Sequence, residues 1–197
     1  MRVLWIVSFV LPEASNYIGK NKIPFGGWIS QMIDLLKKES SIELAVAMKS
    51  SIKKLKKVED ENITYYFLPT KDNDVSDVTS ETCNFVFKDF SPDLLHAEGT
   101  EHKFTKTFLE NWEGQNVVSL QGVLNGYKDY EYGGLNPFKL MFSPSHYKDI
   151  VYGFLMLVNK VAVFNKRINI ERDTIGLAKN ILGRTIWDQS HYYYFNK

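Results

Sequence analysis

The 197-residue chain carries 24 Lys+Arg against 23 Asp+Glu, 12 Gly, 6 Pro, one cysteine, 44% hydrophobic and 14% aromatic residues. A formal charge of +1 gives no bulk attraction to nucleic acid or to an anionic membrane, and the composition excludes collagenous, low-complexity and disordered chains. Lone Cys83 excludes an internal disulfide and a multi-cysteine zinc site, so a cytoplasmic setting is expected.

The apolar run Val3–Val10 behind Arg2 reads as a buried first strand of a parallel sheet. It is not read as an export signal, because Pro12 and Glu13 spoil the cleavage site. A turn-rich loop from Leu11 to Phe25 leads to Gly26-Gly27, where a helical stripe of Trp28, Ile29, Met32, Ile33, Leu35 and Leu36 begins and runs to about Lys38. Ile42–Met48 is the second strand, and Lys49 to Glu61 reads as a charged connection whose five lysines between Lys49 and Lys57 suit either anionic lipid or, the preferred reading, a solvated loop partly neutralised by Glu59, Asp60 and Glu61. Ile63–Leu68 is the third strand, closed by Pro69. Residues 71 to 90 are polar, then helical through Cys83, Phe85, Val86 and Phe90, and Pro92 ends that element.

Asp93–Ala97 is the fourth strand, running out at Gly99, and residues 104 to 112 form a short helix. Val117–Leu120 is the fifth strand, ending at Gln121-Gly122. A polar, aromatic loop spans Asn125 to about Ser145, followed by helices over roughly 146–165 and 170–179. The apolar stretch Ile150–Val158 is too short to cross a bilayer. Asn180–Gly183 is a short sixth strand, and Thr185-Ile-Trp-Asp188 carries the capping pattern of one more helix. Alternating strands and helices predict an α/β fold: a doubly wound, mainly parallel, Rossmann-like sheet in three α/β/α layers.

In such a sheet ligands bind beyond the carboxyl ends of the strands. Gly26 and Gly27 open a helix there, where bare N–H groups attract phosphate. This is not a GxGxxG fingerprint, and strand two runs into Lys49 rather than an acidic residue, so a dehydrogenase is not expected. No GxxxxGK[ST] motif is present, which excludes a P-loop nucleotidase. At the fourth strand exit, alternation places Leu94, His96 and Glu98 on one face. Glu98 and Thr100 are the site candidates, and His96 is read as a hydrogen-bonded core histidine. H-A-E at 96–98 lacks the downstream PCxxC of the zinc deaminases, and no metal is expected. Gln121, with Gly122 beside it, can hold a sugar hydroxyl or phosphate without acid–base chemistry. Arg184 offers a guanidinium fork for phosphate or carboxylate.

Together the segments VLWIVSFVLP, FGGW, PDLLHAEG, VVSLQG and ERDTIGLAKNILGRTIWD resemble the N-terminal domain of GT-B glycosyltransferases, specifically the retaining family 4. The resemblance implies that residues 1–197 are a single acceptor-side domain. The C-terminal domain that holds the nucleotide sugar, with its paired-glutamate motif, is expected in a longer polypeptide. It implies a UDP- or GDP-linked sugar donor, a glycan or lipid-linked glycan acceptor, no cofactor, and a cytoplasmic enzyme with peripheral contact at the inner membrane face. It places Gly26 and Gly27 toward the donor diphosphate. Two departures stand out: His96-Ala97-Glu98-Gly99 where the family often has H-x-H-G, and Gln121 where many members carry a histidine. No catalytic residue is therefore assigned. The alternatives are a non-catalytic carbohydrate- or nucleotide-binding module, and a sugar-phosphate isomerase or epimerase.

Overall fold

The computed structural model describes residues 1–21, 26–70, 78–128, 130 and 132–196. Seven strands form one sheet: β1 (Arg2–Val7), β2 (Glu43–Ser50), β3 (Lys56–Asp60), β4 (Ile63–Pro69), β5 (Leu94–Glu98), β6 (Gln115–Ser119) and β7 (Asn180–Leu182). Their spatial order is β3-β4-β2-β1-β5-β6-β7, and every pairing is parallel except that of β3 with β4. The chain therefore winds outward from β1 in one direction, then restarts on the other side of β1 with β5. That is the doubly wound arrangement, with its switch point between β1 and β5.

The expected continuous apolar strands are present, and they are buried on both faces. Leu4, Ile6, Ala45, Ala47, Leu95, Ala97 and Val118 point into one core layer, against Cys83, Val86 and Phe90 of α2 (Ser80–Phe90) and Phe104 and Phe108 of α3 (Lys103–Glu110). Val3, Trp5, Val7, Leu44, Val46 and Met48 point the other way, against Ile29 and Ile33 of α1 (Gly27–Leu36) and Ala14 of a 3₁₀ turn (Pro12–Ile18). The three α/β/α layers follow from this alternation along each strand.

Four local expectations change. Lys56–Asp60, read as part of a charged connection, is an antiparallel edge strand registered on β4 from Lys56↔Phe67 to Asp60↔Ile63. Its charges are those of an edge exposed to water rather than of a loop; Lys57 pairs with Glu59 at 2.9 Å and Asp89 at 2.8 Å. The helical stripe of α1 divides: Ile29 and Ile33 are buried, whereas Trp28, Met32 and Leu35 sit half-exposed on the adjacent side. Six apolar positions make a stripe wider than the sheet contact can cover. The loop from Asn125 contains α4 (Leu124–Tyr127) and α5 (Pro137–Phe142), the latter opened by Asn136, whose side chain accepts from Lys139 N.

The two helices expected over 146–165 and 170–179 are one unbroken helical run. α6 (Tyr147–Asn159) passes through a π-helical segment (Lys160–Phe164) into α7 (Asn165–Leu177). Capping at Thr185 is as the sequence predicts: Thr185 Oγ1 accepts from Asp188 N at 3.2 Å, and Asp188 Oδ2 accepts from Thr185 N at 3.0 Å, opening α8 (Ile186–Phe195). Among the described residues no helix is long and apolar enough to cross a membrane.

The stability of the sheet rests on its doubly covered centre. Ile6→Ala should cost about 2–5 kcal/mol in urea unfolding, because Ile6 is fully buried between the strands and the α2–α3 layer. Leu35→Ala, at a side chain 64% exposed, should stay within about 0.5 kcal/mol of the parent.

Candidate functional site

Parallel registers bring three strand exits into one row. Glu98 of β5 stands opposite Ser119 of β6, and Ser119 opposite Leu182 of β7. Past the row the backbone stays joined, with Gly99 N donating to Ser119 O at 3.0 Å and Leu120 N to Leu182 O at 2.9 Å. Two residues beyond the exits stand Gln121 and Arg184. Helix α1, which starts at the same edge, leaves the ends of β6 and β7 uncovered and adds Trp28 and Met32 as a wall. The resulting cleft, about 370 Å³, is lined by Trp28, Met32, Glu98, Gln121, Leu182 and Arg184, with Ser119 at its base.

The polar groups in it form one network. Gln121 Nε2 donates to Glu98 Oε2 at 2.9 Å, and the Arg184 guanidinium donates to the Gln121 carbonyl at 2.8 Å. His96 Nε2 lies 2.7 Å from Ser119 Oγ and 3.6 Å from Glu98 Oε1, and its ring stacks on Trp5 at 4.4 Å. Burial pulls the His96 imidazole down to about 4, so it is neutral at pH 7 and the contact with Glu98 is not an ion pair. Burial likewise raises Glu98, against the charge-favouring effects of the Gln121 amide, the Ser119 hydroxyl, the Trp5 indole and the Arg184 cation. Trp5 Nε1 itself lies outside hydrogen-bond geometry with any described group. Glu98 is thus a desolvated carboxyl at the edge of a cleft, able to exchange a proton or a hydrogen bond with a bound hydroxyl.

The residues singled out in the sequence fall into three groups. Glu98, Gln121 and Arg184 are brought together in the cleft. Gly26 and Gly27 adjoin it at the start of α1. Gly26 is the helix N-cap with φ +84, and a Cβ there would lie 2.3 Å from the Phe9 ring, so this position requires glycine in both conformation and space. Gly27 is exposed, and no side chain caps the helix. Thr100 and Gly122 stand apart. Gly99, at φ +78, turns the chain so that Thr100 is fully buried, its hydroxyl 3.5 Å from Glu171 Oε1 on α7. Gly122 lies beyond the cleft residues and faces open space. Phe25, quoted with these glycines, lies outside the described residues.

His96 is the hydrogen-bonded core histidine that alternation implies. Among the described residues no three His, Cys, Asp or Glu side chains are gathered as metal ligands. His102 turns instead to Glu101, Nε2 to Oε1 3.4 Å. Trp28 and Met32 are the site residues that sequence reading missed, since they looked like core; a stripe six positions wide was the available signal. Ser119 was legible only as a strand residue, and its role comes from the register that sets it opposite Glu98.

The site and sheet define a Rossmann-like, doubly wound α/β protein with a largely apolar cleft at its strand exits that also carries a carboxyl, an amide and a guanidinium. No protein-family model matches the chain, and no curated protein matches its sequence. Among solved structures it is similar to a sucrose-phosphate synthase from Thermosynechococcus elongatus, at 5% sequence identity and a TM-score of 0.48. That similarity covers 98% of this chain and 45% of the other, so the chain spans less than half the length of the protein it matches.

His96 gives a test of the site's polarity. The unfolded imidazole takes a proton near 6.5 and the folded one only near about 4, so the unfolded chain binds more protons between those values. Stability from neutral His96 is full above pH 6.5 and drains by about 3 kcal/mol as pH falls to 4. Glu98, raised by burial, acts in the opposite sense: its share is present below the ordinary carboxylate range and is lost as pH rises through its folded value. Imidazole NMR titration should therefore show one ring with a midpoint well below 6. His96→Gln should flatten the stability profile between pH 6.5 and 4.

Proposed function

We propose that this chain is the acceptor-side domain of a retaining glycosyltransferase that moves a sugar from a UDP- or GDP-linked donor to a glycan or lipid-linked glycan. The observation that carries the reading is the joint placement of Trp28, Glu98, Gln121 and Arg184 around one cleft at the strand exits. A sugar ring presents an apolar C–H face and a rim of hydroxyls. An indole offers a surface for the former, and a carboxyl and an amide offer acceptors and donors for the latter. Arg184 adds a planar cation suited to an anionic group, such as a donor phosphate or an acceptor carboxylate. The free N–H groups at the start of α1, reached through Gly26 and Gly27, are suited to a diphosphate.

In this reading the four groups orient the acceptor, and a second α/β domain carries the nucleotide. Closing the two domains would exclude water and align the acceptor hydroxyl with the sugar's anomeric carbon. Neutral His96 and Ser119 hold Glu98 and Gln121 in position from the sheet side. The ordered segments resembling family 4 support the same assignment, and the fold has the strand-exit geometry such an enzyme needs.

Saturation-transfer NMR with a panel of nucleotide sugars and oligosaccharides, on the full-length polypeptide, tests the reading. A sugar or glycan should bind, and Glu98→Gln, Trp28→Ala and Arg184→Ala should each weaken it by about 10- to 100-fold, the range expected on losing a buried polar or aromatic contact. Silence across the panel would overturn it. Turnover by residues 1–197 alone would overturn the division of labour between two domains.

A further inference from the structure

We propose that the apolar stripe of α6 is the interface of a homodimer, in which two copies of this chain pair their α6 helices antiparallel about a twofold axis. Along α6, Tyr147, Ile150, Val151, Phe154, Leu155 and Val158 are all exposed, between 45% and 70%. Their spacing of i, i+3, i+4, i+7, i+8 and i+11 makes them a single stripe. In a helix serving the core that stripe faces inward, and here it faces solvent. The side of α6 that carries buried Gly153 is the packed one, since a Cβ there would lie 2.6 Å from Met141 Cγ and 2.6 Å from Pro137 O of α5. α5 adds Phe138 and Phe142, exposed at 57% and 79%. Taking about 200 Å² for a fully bared aromatic residue and somewhat less for an aliphatic one, these eight residues expose on the order of 800 Å². The largest apolar patch on a typical monomer is about 300–600 Å². Each partner in a stable protein–protein interface covers about 800 Å².

Symmetry and charge decide the occupant. A twofold interface sets one patch against itself, so the patch must be self-complementary. The stripe meets that requirement. Two antiparallel α6 helices centred between Tyr152 and Gly153 bring Tyr147 opposite the partner's Val158, Ile150 opposite the partner's Leu155, and Val151 opposite the partner's Phe154. Every position of the stripe thereby meets another position of the stripe. The two rings, Tyr147 and Phe154, face valines rather than each other, and large against small is the combination that interdigitates between helices. The stripe holds no charge. Residues 137–159 carry Lys139 and Lys148 against Asp149, whose Oδ2 accepts from Ser145 N at 2.9 Å and His146 N at 2.7 Å. With that balance little repulsion opposes a second copy, and a strongly charged partner finds no field to select it.

The other exposed rings do not make such a patch. Tyr193 and Tyr194 of α8, exposed at 70% and 69%, are neighbours in sequence and diverge by about 100° around their helix. Nor does the stripe belong to the cleft, since none of its residues lines that site. Pairing through α6 is therefore a property of the chain distinct from ligand binding, and it can be measured with the cleft empty or filled.

Sedimentation velocity with light scattering on the full-length polypeptide tests this. A dimer should form with a Kd of about 1 μM or tighter, the range that interfaces of this size reach. Phe154→Ser/Leu155→Ser should weaken it at least about tenfold. A second readout does not depend on those substitutions. Cys83 is buried and is the only cysteine of the sequence, so a short bismaleimide acting on Val151→Cys reports this helix alone. It should yield a covalent dimer, whereas Tyr152→Cys, one residue on and off the stripe, should yield none. A monomer at concentrations up to about 100 μM, with no cross-link at position 151, would overturn the proposal. So would a dimer that the double substitution leaves intact, which would place the interface elsewhere. A monomer that sediments with lipid vesicles through the same residues would overturn it too, by assigning the stripe to a membrane.

Discussion

On a parallel strand buried on both faces an unpaired polar side chain is costly, and this constraint organises the molecule, with Trp5 Nε1 of β1 as the exception among the described residues. β1, β2 and β4 are almost entirely apolar through their buried stretches. Polar chemistry collects where coverage stops, at the exits of β5, β6 and β7. Register then does the assembling: Glu98↔Ser119 and Ser119↔Leu182 are backbone pairings, yet they determine which side chains share a cleft. The cleft exists because α1 covers the β1–β2 half of its face and leaves the other half open.

Legibility in the sequence follows the same division. Strands covered on both sides announce themselves as unbroken apolar runs, so β1, β2, β4 and β5 were readable with errors of a few residues at their ends. β3 was not, because an edge strand facing water carries the charges of a loop. The join of α6 to α7 was hidden by the polar stretch Asn165 to Asn169, which breaks the hydrophobic pattern without breaking the helix. At the site, Glu98, Gln121 and Arg184 were legible because strand exits can be counted from the sequence. Thr100 was misleading for a local reason: one glycine at positive φ redirected the chain toward α7, and no periodicity encodes that turn. Trp28 and Met32 were misread as core because hydrophobicity reports a preference for burial and says nothing about which of two adjacent helix faces receives it.

The two solvent-facing apolar surfaces differ in physical character. The cleft wall of Trp28, Met32 and Leu182 is small, concave and interrupted by a carboxyl, an amide and a guanidinium. The α6 stripe is longer, running through exposed Tyr147, Ile150, Val151, Phe154, Leu155 and Val158. Concavity with few convergent polar groups fits a small ligand. Both lie toward the strand-exit edge, and α7 connects them mechanically: it packs on α3 through Lys106–Asp173 at 2.8 Å and holds the β6–α4 turn through Glu171.

Three glutamates near this edge, Glu98 and Glu171 buried and Glu101 partly buried, show how desolvation alone fails to identify a reactive group. Glu171 is fully buried and raised by desolvation, but it is saturated, accepting from Leu124 N, Asn125 N and Asn125 Nδ2, each at 2.7 Å. It caps a short helix and has no room for a ligand. Glu101 is also desolvated, yet His102, its own backbone and Arg167 overcome that and bring it down to about 2, so it is a fixed anion. Glu98 alone combines desolvation with a place on the cleft wall, and its strongest partner, Gln121, is a neutral amide rather than a cation. A carboxyl poised in that way retains the capacity to exchange hydrogen bonds with an incoming hydroxyl, which the other two have already spent on the fold.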